Sequence, residues 1–308
     1  MTGHRFVIVA CAAIATVAAS APSRPLPGKP AADSTVVVLL GTGMPRPNPD
    51  ASGPATAVIL GDQTYLFDAG PGVERQLAAA HLPINGVTAL FVTHLHTDHT
   101  LGLPDLIFTS WVMGRKTVMP AYGPHGLKAM VDHIVAAWSE DIDIRTNGLE
   151  HEAPGGYRVT VHEIGPGVVY DSAGVRVTAI PVLHGGWKEA YGYRIDTPDR
   201  SIVISGDTRP SDALTKAATG VDVLVHEVYA ASRLAPENRA RGTDWPAYMR
   251  SFHTSDVELG RIAMIARPKL LVLTHIVRSG ATDSELVAGV RRGGFTGRVV
   301  VGHDLARY

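Results

Sequence analysis

Short apolar, β-branched runs bounded by Gly, Asp or Pro recur along most of the chain, and such runs mark strands. They fall at Thr35–Leu40, Ala55–Leu60, Tyr65–Phe67, Ala89–Val92, Tyr157–Ile164, Val175–Val182, Ser201–Ile204, Val221–Val225, Lys269–Leu273 and Arg298–Val301. Between them the period changes to that of a helix. Over Gly126–Trp138, Leu127, Met130, Val131, Ile134, Val135 and Trp138 lie at i, i+3, i+4, i+7, i+8 and i+11, which predicts one buried face. A second stripe, Leu259, Ile262, Ala263 and Ala266, follows Ser255 and Glu258 at capping-box spacing, and Thr282 with Glu285 announces a third helix from about Asp283. Strands interleaved with helices predict an α/β chain whose sheets are covered by helices on their outer faces.

The first 21 residues follow another pattern: Arg5, an apolar run from Phe6 to Ala19, then small residues and Pro22, the layout of a secretory signal peptide. The run is 14 residues long, short of the about 20 that span a bilayer, so the expectation is removal on export to the periplasm or medium, with no stable membrane anchor. Residues 22–33, rich in Pro, read as an extended linker, and 34–308 as one domain. The 308 residues are 45% apolar and 19% charged, a globular composition. Lys plus Arg is 28 against 29 Asp plus Glu, so no broad basic field exists, and this predicts no extended nucleic-acid surface. The one cysteine, Cys11, lies in the expected leader, which excludes disulfides and thiolate metal centres from the mature chain.

Chemistry concentrates where the Ala89–Val92 strand ends. His94, His96, Asp98 and His99 place four potential ligands within six residues, and imidazole with carboxylate is the set that a borderline metal such as zinc takes. A strand end lets such side chains converge on one point. The remaining candidates each have an ordinary reading when taken alone. His184 precedes Gly185-Gly186 in a loop, Asp207 could cap a turn, and Asp68 stands before a turn glycine.

The run His94-x-His96-x-Asp98-His99 resembles the signature of the metallo-β-lactamase-fold hydrolases. Gly41-Thr42-Gly43, Phe67-Asp68-Ala69-Gly70, Pro181-Val182-Leu183-His184, Ser205-Gly206-Asp207-Thr208 and Leu273-Thr274-His275 fall in that family's order. The resemblance implies a four-layer αββα sandwich, two mixed β-sheets faced by helices. It also implies a binuclear site, with His94, His96 and His184 on one metal, Asp98, His99 and His275 on the other, and Asp207 bridging. Ligands of nitrogen and oxygen alone suit two divalent ions, most simply Zn²⁺, with Mn²⁺ or Fe²⁺ open. Such a pair lowers the pKa of a shared water and clamps both oxygens of a displacement, which makes the expected chemistry hydrolysis. Asp68 reads as a support that fixes a ligand histidine or the loop backbone.

Val225-His226-Glu227-Val228-Tyr229 and Ser251-Phe252-His253-Thr254-Ser255 resemble motifs of the transfer-RNA 3′-processing endonucleases and their arylsulfatase and phosphodiesterase relatives. His253 stands just before a helix N-terminus, where Glu227 can hold its imidazole protonated to stabilise the transition state or protonate a departing oxygen. Asp98, His253 and Glu227 are therefore the candidate catalytic groups. The endonucleases commonly carry a basic arm after the motif resembling Tyr191-Gly192-Tyr193-Arg194-Ile195, whereas only Asp196–Arg200 separates Ile195 from the next strand. Without an arm, with an acidic balance and with a leader, the expected enzyme is an exported hydrolase of a small anionic phosphodiester or sulfate ester. The alternatives are a transfer-RNA 3′ endoribonuclease, a lactone or carboxyl-ester hydrolase, and a metal-binding protein without turnover. Arg209 and Arg278 are expected to receive the anionic group, and Trp187, Tyr191, Tyr193 and Trp245 to line a substrate pocket or pack in the core.

Overall fold

The computed structural model describes residues 34–237 and 242–308, so the expected leader, 1–21, and linker, 22–33, lie outside the described residues. One sheet holds β1 (Val36–Gly41), β2 (Ala55–Leu60), β3 (Gln63–Phe67), β4 (Val87–Phe91), β5 (Met119–Gly123) and β6 (Val159–Glu163), side by side in chain order. Its first three strands are antiparallel and β3 to β6 are parallel. The other holds β7 (Gly167–Ser172), β8 (Val175–Pro181), β9 (Tyr191–Asp196), β10 (Ser201–Ile204), β11 (Val223–Tyr229), β12 (Leu270–Val277) and β13 (Arg298–Val301). There β7 to β10 pair antiparallel and β10 to β13 parallel.

Side-chain alternation builds the layers. Val37 and Leu39 of β1, Ala89 and Phe91 around β4, and Val223, Val225, Leu270 and Val272 of β11 and β12 share one core between the sheets. Their neighbours Val38, Leu40 and Leu90 turn to the opposite face, against α1 (Val73–Ala79), α3 (Leu103–Val112) and α4 (Leu127–Ala137). Leu224, Leu271 and Leu273 likewise face α6 (Asp212–Ala217), α8 (Asp256–Ala266) and α9 (Asp283–Arg292). Central strands buried on both faces become continuous apolar runs, which is why they are legible in the chain. The result is the expected four-layer αββα sandwich.

Both expected capping boxes form, at Ser255 with Glu258 and at Thr282 with Glu285. The face of α4 is less covered than its period predicts: Leu127 and Val131 are buried, but Trp138 is 42% exposed. The sequence pattern did not announce β5, β7 and β9. Pro120 interrupts β5, β7 has no buried residue to create alternation, and Gly192, Arg194 and Asp196 dilute β9. The chain also extends β11 to Tyr229 and β12 to Val277, beyond the expected ends at Val225 and Leu273.

Candidate metal centre

β3 and β4 are parallel, and β8, β10, β11 and β12 share one direction in the other sheet, so their carboxyl ends deliver side chains to one edge of the sandwich. His94 and His96 leave β4, and the one-turn helix α2 (Thr97–Thr100) carries Asp98 and His99. His184 follows β8 and Asp207 follows β10. His275 lies inside β12, not past its end: Glu227 of β11 pairs with Thr274 and Val228 with Ile276, so His275 is bulged out of the ladder at φ 41. A bulge aims one side chain away from the regular pleat, here into the cluster.

The seven expected ligands converge. His96 Nδ1 lies 3.0 Å from His94 Nε2 and 3.1 Å from His184 Nε2, and Asp207 Oδ2 lies 4.0 and 3.9 Å from those two nitrogens. On the other side His275 Nε2 is 3.2 Å from Asp98 Oδ2 and 3.3 Å from Asp207 Oδ2, while His99 Nε2 is 3.4 Å from Asp207 Oδ1. Two groupings result, His94, His96, His184 with Asp207, and Asp98, His99 with His275. The closest donor separations match the about 3.3 Å edge of a tetrahedron with bonds of about 2.0–2.1 Å, the dimensions zinc takes with nitrogen and oxygen. His99 Nε2 and Asp207 Oδ1 are buried, face each other and have no hydrogen-bond partner, a deficit that a cation between them would remove. The donor set fits two divalent ions.

Supporting contacts aim the lone pairs inward. Asp68, at φ 61, accepts from the Thr93 N–H at 2.8 Å and the Thr93 hydroxyl at 2.9 Å, and its Oδ2 takes His99 Nδ1 at 2.8 Å. It therefore fixes both a ligand histidine and the loop backbone. His184 Nδ1 donates to the Phe252 carbonyl at 2.8 Å, and His94 Nδ1 to the Thr93 hydroxyl at 3.0 Å, which leaves Nε2 of each facing the cluster. Sequence reasoning missed these roles of Thr93 and Phe252. Thr93 abuts His94 and was open to inspection, whereas a backbone carbonyl leaves no signal in residue type. His96 differs, because its outer Nε2 accepts the Trp187 indole N–H at 2.8 Å. A cation on Nδ1 would place the ring proton on Nε2 and release that indole.

Charge divides the centre. Burial, then the neighbouring His99, holds His94 well below the usual imidazole range, and burial lowers His184 to about 4, so both are neutral and ready to ligate. For His275 burial acts downward but Asp207 and Asp98 outweigh it and raise it to about 9. His99 is likewise raised, by Asp207 and Asp68 against its burial.

Beside this cluster, Glu227 of β11 is fully buried. Its Oε1 accepts from Thr208 N–H at 2.9 Å and Thr254 N–H at 3.3 Å, and both its oxygens lie 3.2 Å from His253 Nδ1. His253 caps the C-terminus of α7 (Trp245–Phe252) two residues before Ser255, the N-cap of α8. Burial acts to lower its pKa, but the charge and hydrogen bond of Glu227 outweigh it, so His253 is raised, as the expected pairing requires. Asp207, His253 and His275 form a further grouping, but Glu227 already engages His253 Nδ1.

Arg278 is bound to Asp283 at 2.5 Å, while Arg209 is exposed two residues after Asp207. Tyr191, Tyr193 and Trp245 are buried in the cores, and only Trp187 faces the cleft beside His96.

A profile of the β-lactamase superfamily domain matches residues 63–276. The chain is 35% identical over 281 residues to the ribonuclease Z of Mycobacterium bovis (strain BCG / Pasteur 1173P2), covering 88% of this chain and 96% of that protein. It is 36% identical over 277 residues to the ribonuclease Z of Mycobacterium sp. (strain KMS), covering 88% and 94%. Among solved structures it is similar to a metallo-β-lactamase fold protein from Bacillus subtilis, at TM-score 0.70, 19% identity and 90% and 99% coverage. It is also similar to the short form of human tRNase Z, at TM-score 0.66, 22% identity and 89% and 98% coverage. These relatives overturn two expectations, the exported hydrolase of a small phosphodiester or sulfate ester and the small anionic substrate without a nucleic-acid surface. Both rested on net charge, on a missing arm and on the expected leader, which bears on location and not on the bond that is cleaved. Net charge sums the whole surface and is silent about the field at one cleft. The turn closed by Thr197 N–H to the Arg200 carbonyl precedes β10, so it lies at the end of the sandwich away from the centre and bears little on what enters there.

Proposed function

Because the chain belongs to the metallo-β-lactamase superfamily, in its ribonuclease Z branch, we propose that it is a metal-dependent endoribonuclease that cleaves a phosphodiester bond on the 3′ side of transfer RNA. The observation that carries this is the meeting of seven nitrogen and oxygen ligands with the buried Glu227–His253 pair at one sandwich edge. His94, His96 and His184 would hold one ion, Asp98, His99 and His275 the other, with Asp207 between them, and Zn²⁺ is the ion the donor set favours. Two divalent ions so held would supply an activated water and would neutralise charge on the phosphodiester.

The protein's own groups do the rest. Asp68, Thr93 and the Phe252 carbonyl orient ligand rings. Asp98, 3.2 Å from His275 Nε2, is a carboxylate able to accept a proton from an attacking water. Protonated His253, held by Glu227, donates to the departing oxygen. The test is zinc-reconstituted protein with a transfer-RNA precursor carrying a 3′ extension. Cleavage at one site, with close to two metal equivalents bound, is expected. His94→Ala with His96→Ala should lower both metal content and turnover. Intact precursor in the presence of two bound metals would overturn the reading. Export remains our separate proposal on the pattern of residues 1–21: N-terminal sequencing of the native protein should begin near Ser20 or Pro22, and an intact Met1 in the cytosol would refute it.

A further inference from the structure

Two clefts flank the centre. One, of about 770 Å³, borders Asp98 and is walled by the turn-rich segment around Pro45, Pro47 and Pro49. The other, of about 510 Å³, borders His96, and its walls are Leu95, Pro124, Trp187 and Phe252, with Lys188 and the paired Glu189 and His125 also lining it. A polynucleotide whose phosphodiester lies on the centre must leave it in two directions, and the clefts border the centre at two places, His96 and Asp98. Their surfaces differ in what they can grip. On the His96 side Phe252 is fixed, its ring stacked on Tyr248 at 4.2 Å and 17°. Trp187 is not packed in this way. It is 36% exposed in the cleft wall and meets His94 and His96 nearly perpendicular, at 77° and 88°, and a cation on His96 Nδ1, which releases the indole N–H, leaves the ring able to present a face to the cleft. An exposed indole face with a lysine beside it is the pairing that takes a base and its phosphate from a single strand, because every base has a π-face.

We propose that the His96-side cleft is a subsite for one unpaired nucleobase adjacent to the scissile phosphate, with Trp187 as its stacking face. The proposal rests on the endoribonuclease reading and adds to it which part of the RNA this side of the centre holds. Gly186 supplies a clean test, because a Cβ there meets no atom within 4 Å: a larger side chain would grow into the cleft without disturbing the fold.

The measurement is equilibrium binding of the metal-loaded full chain to a precursor RNA made uncleavable by a methylene group in place of the departing bridging oxygen at the scissile bond. An abasic residue is placed at either flanking nucleotide in turn. At one of the two positions the abasic residue should weaken binding by about tenfold or more, the usual worth of one stacked base. Trp187→Ala should cost the same on intact RNA and nothing further on the abasic RNA, while Trp187→Phe should keep most of the affinity. Gly186→Leu should reproduce the loss at unchanged metal content. If the wild-type chain cleaves RNA yet neither abasic position matters, or if the Trp187→Ala and abasic losses multiply, the subsite is overturned and the endoribonuclease reading stands. If the wild-type chain neither binds nor cleaves RNA, both fall.

Discussion

Glu227 and Glu74 are both buried, at 0% and 3% exposure, and burial pushes the carboxyl of each upward, Glu74 to about 8. Their surroundings are opposite. Glu227 receives two backbone N–H groups and faces His253, while neither oxygen of Glu74, on α1, has a hydrogen-bond partner. Asp105 adds repulsion at Glu74, and Arg115 opposes it only in part. Burial of an acid is therefore no mark of a site in this molecule; what distinguishes the site is a set of donors that hold the charge and a base that shares it.

Substitutions on the two sides sharpen that contrast. The largest effect belongs to His253→Ala, which should lower kcat by ~10²–10⁴ at unchanged metal content, and less for a substrate with an activated leaving group than for an alkoxide one. Loss of metal in that variant would instead make His253 a ligand and break the distinction between pair and cluster. Glu227→Gln should act in the same direction but more weakly, by about 10- to 100-fold, because it orients and charges His253 without touching the reacting bond. At the other glutamate the effect should be on stability alone. The folded chain keeps the Glu74 proton between 4.5, its value when unfolded, and about 8, so the folded state binds the extra proton and stability falls as pH rises across that window. Glu74→Gln should remove that slope and stabilise the chain at pH 8 by on the order of 2 kcal/mol, with kcat unchanged. Equal thermal denaturation of both proteins at every pH would show that Glu74 is already relieved by solvent.

The sandwich was legible because its central strands are buried on both faces and its two capping boxes have fixed spacing. Strands that failed to show were those at which this physics is absent, such as exposed β7 and Pro-interrupted β5. Of the ligands, His94, His96, Asp98 and His99 were legible from their own spacing after a strand, whereas His184, Asp207 and His275 were placed by the resemblance to a family's order of motifs, and His275 lies inside β12 and not at its end. What stayed hidden was contributed by backbone or by distance, as with the Phe252 carbonyl on His184 and the Trp187 indole on His96. The substrate was misjudged because whole-chain charge, an expected leader and one distant turn were asked to describe a local cleft.

His275 carries a consequence of a different kind. Leu271 and Leu273 lie in the helix-side core, and so does Ile276, an odd, odd and even sequence that strict alternation cannot produce. The extra residue inverts the parity of β12, so that Ile276 packs under the helices and the imidazole between them is turned out toward the other ligands. Part of this site is thus written in the count of residues instead of their kind. A point substitution at 275 can remove the ligand, but only a one-residue deletion would erase the place made for it, and the same deletion would return the strand to a regular ladder. At that one position, the most regular sheet and a complete centre are mutually exclusive.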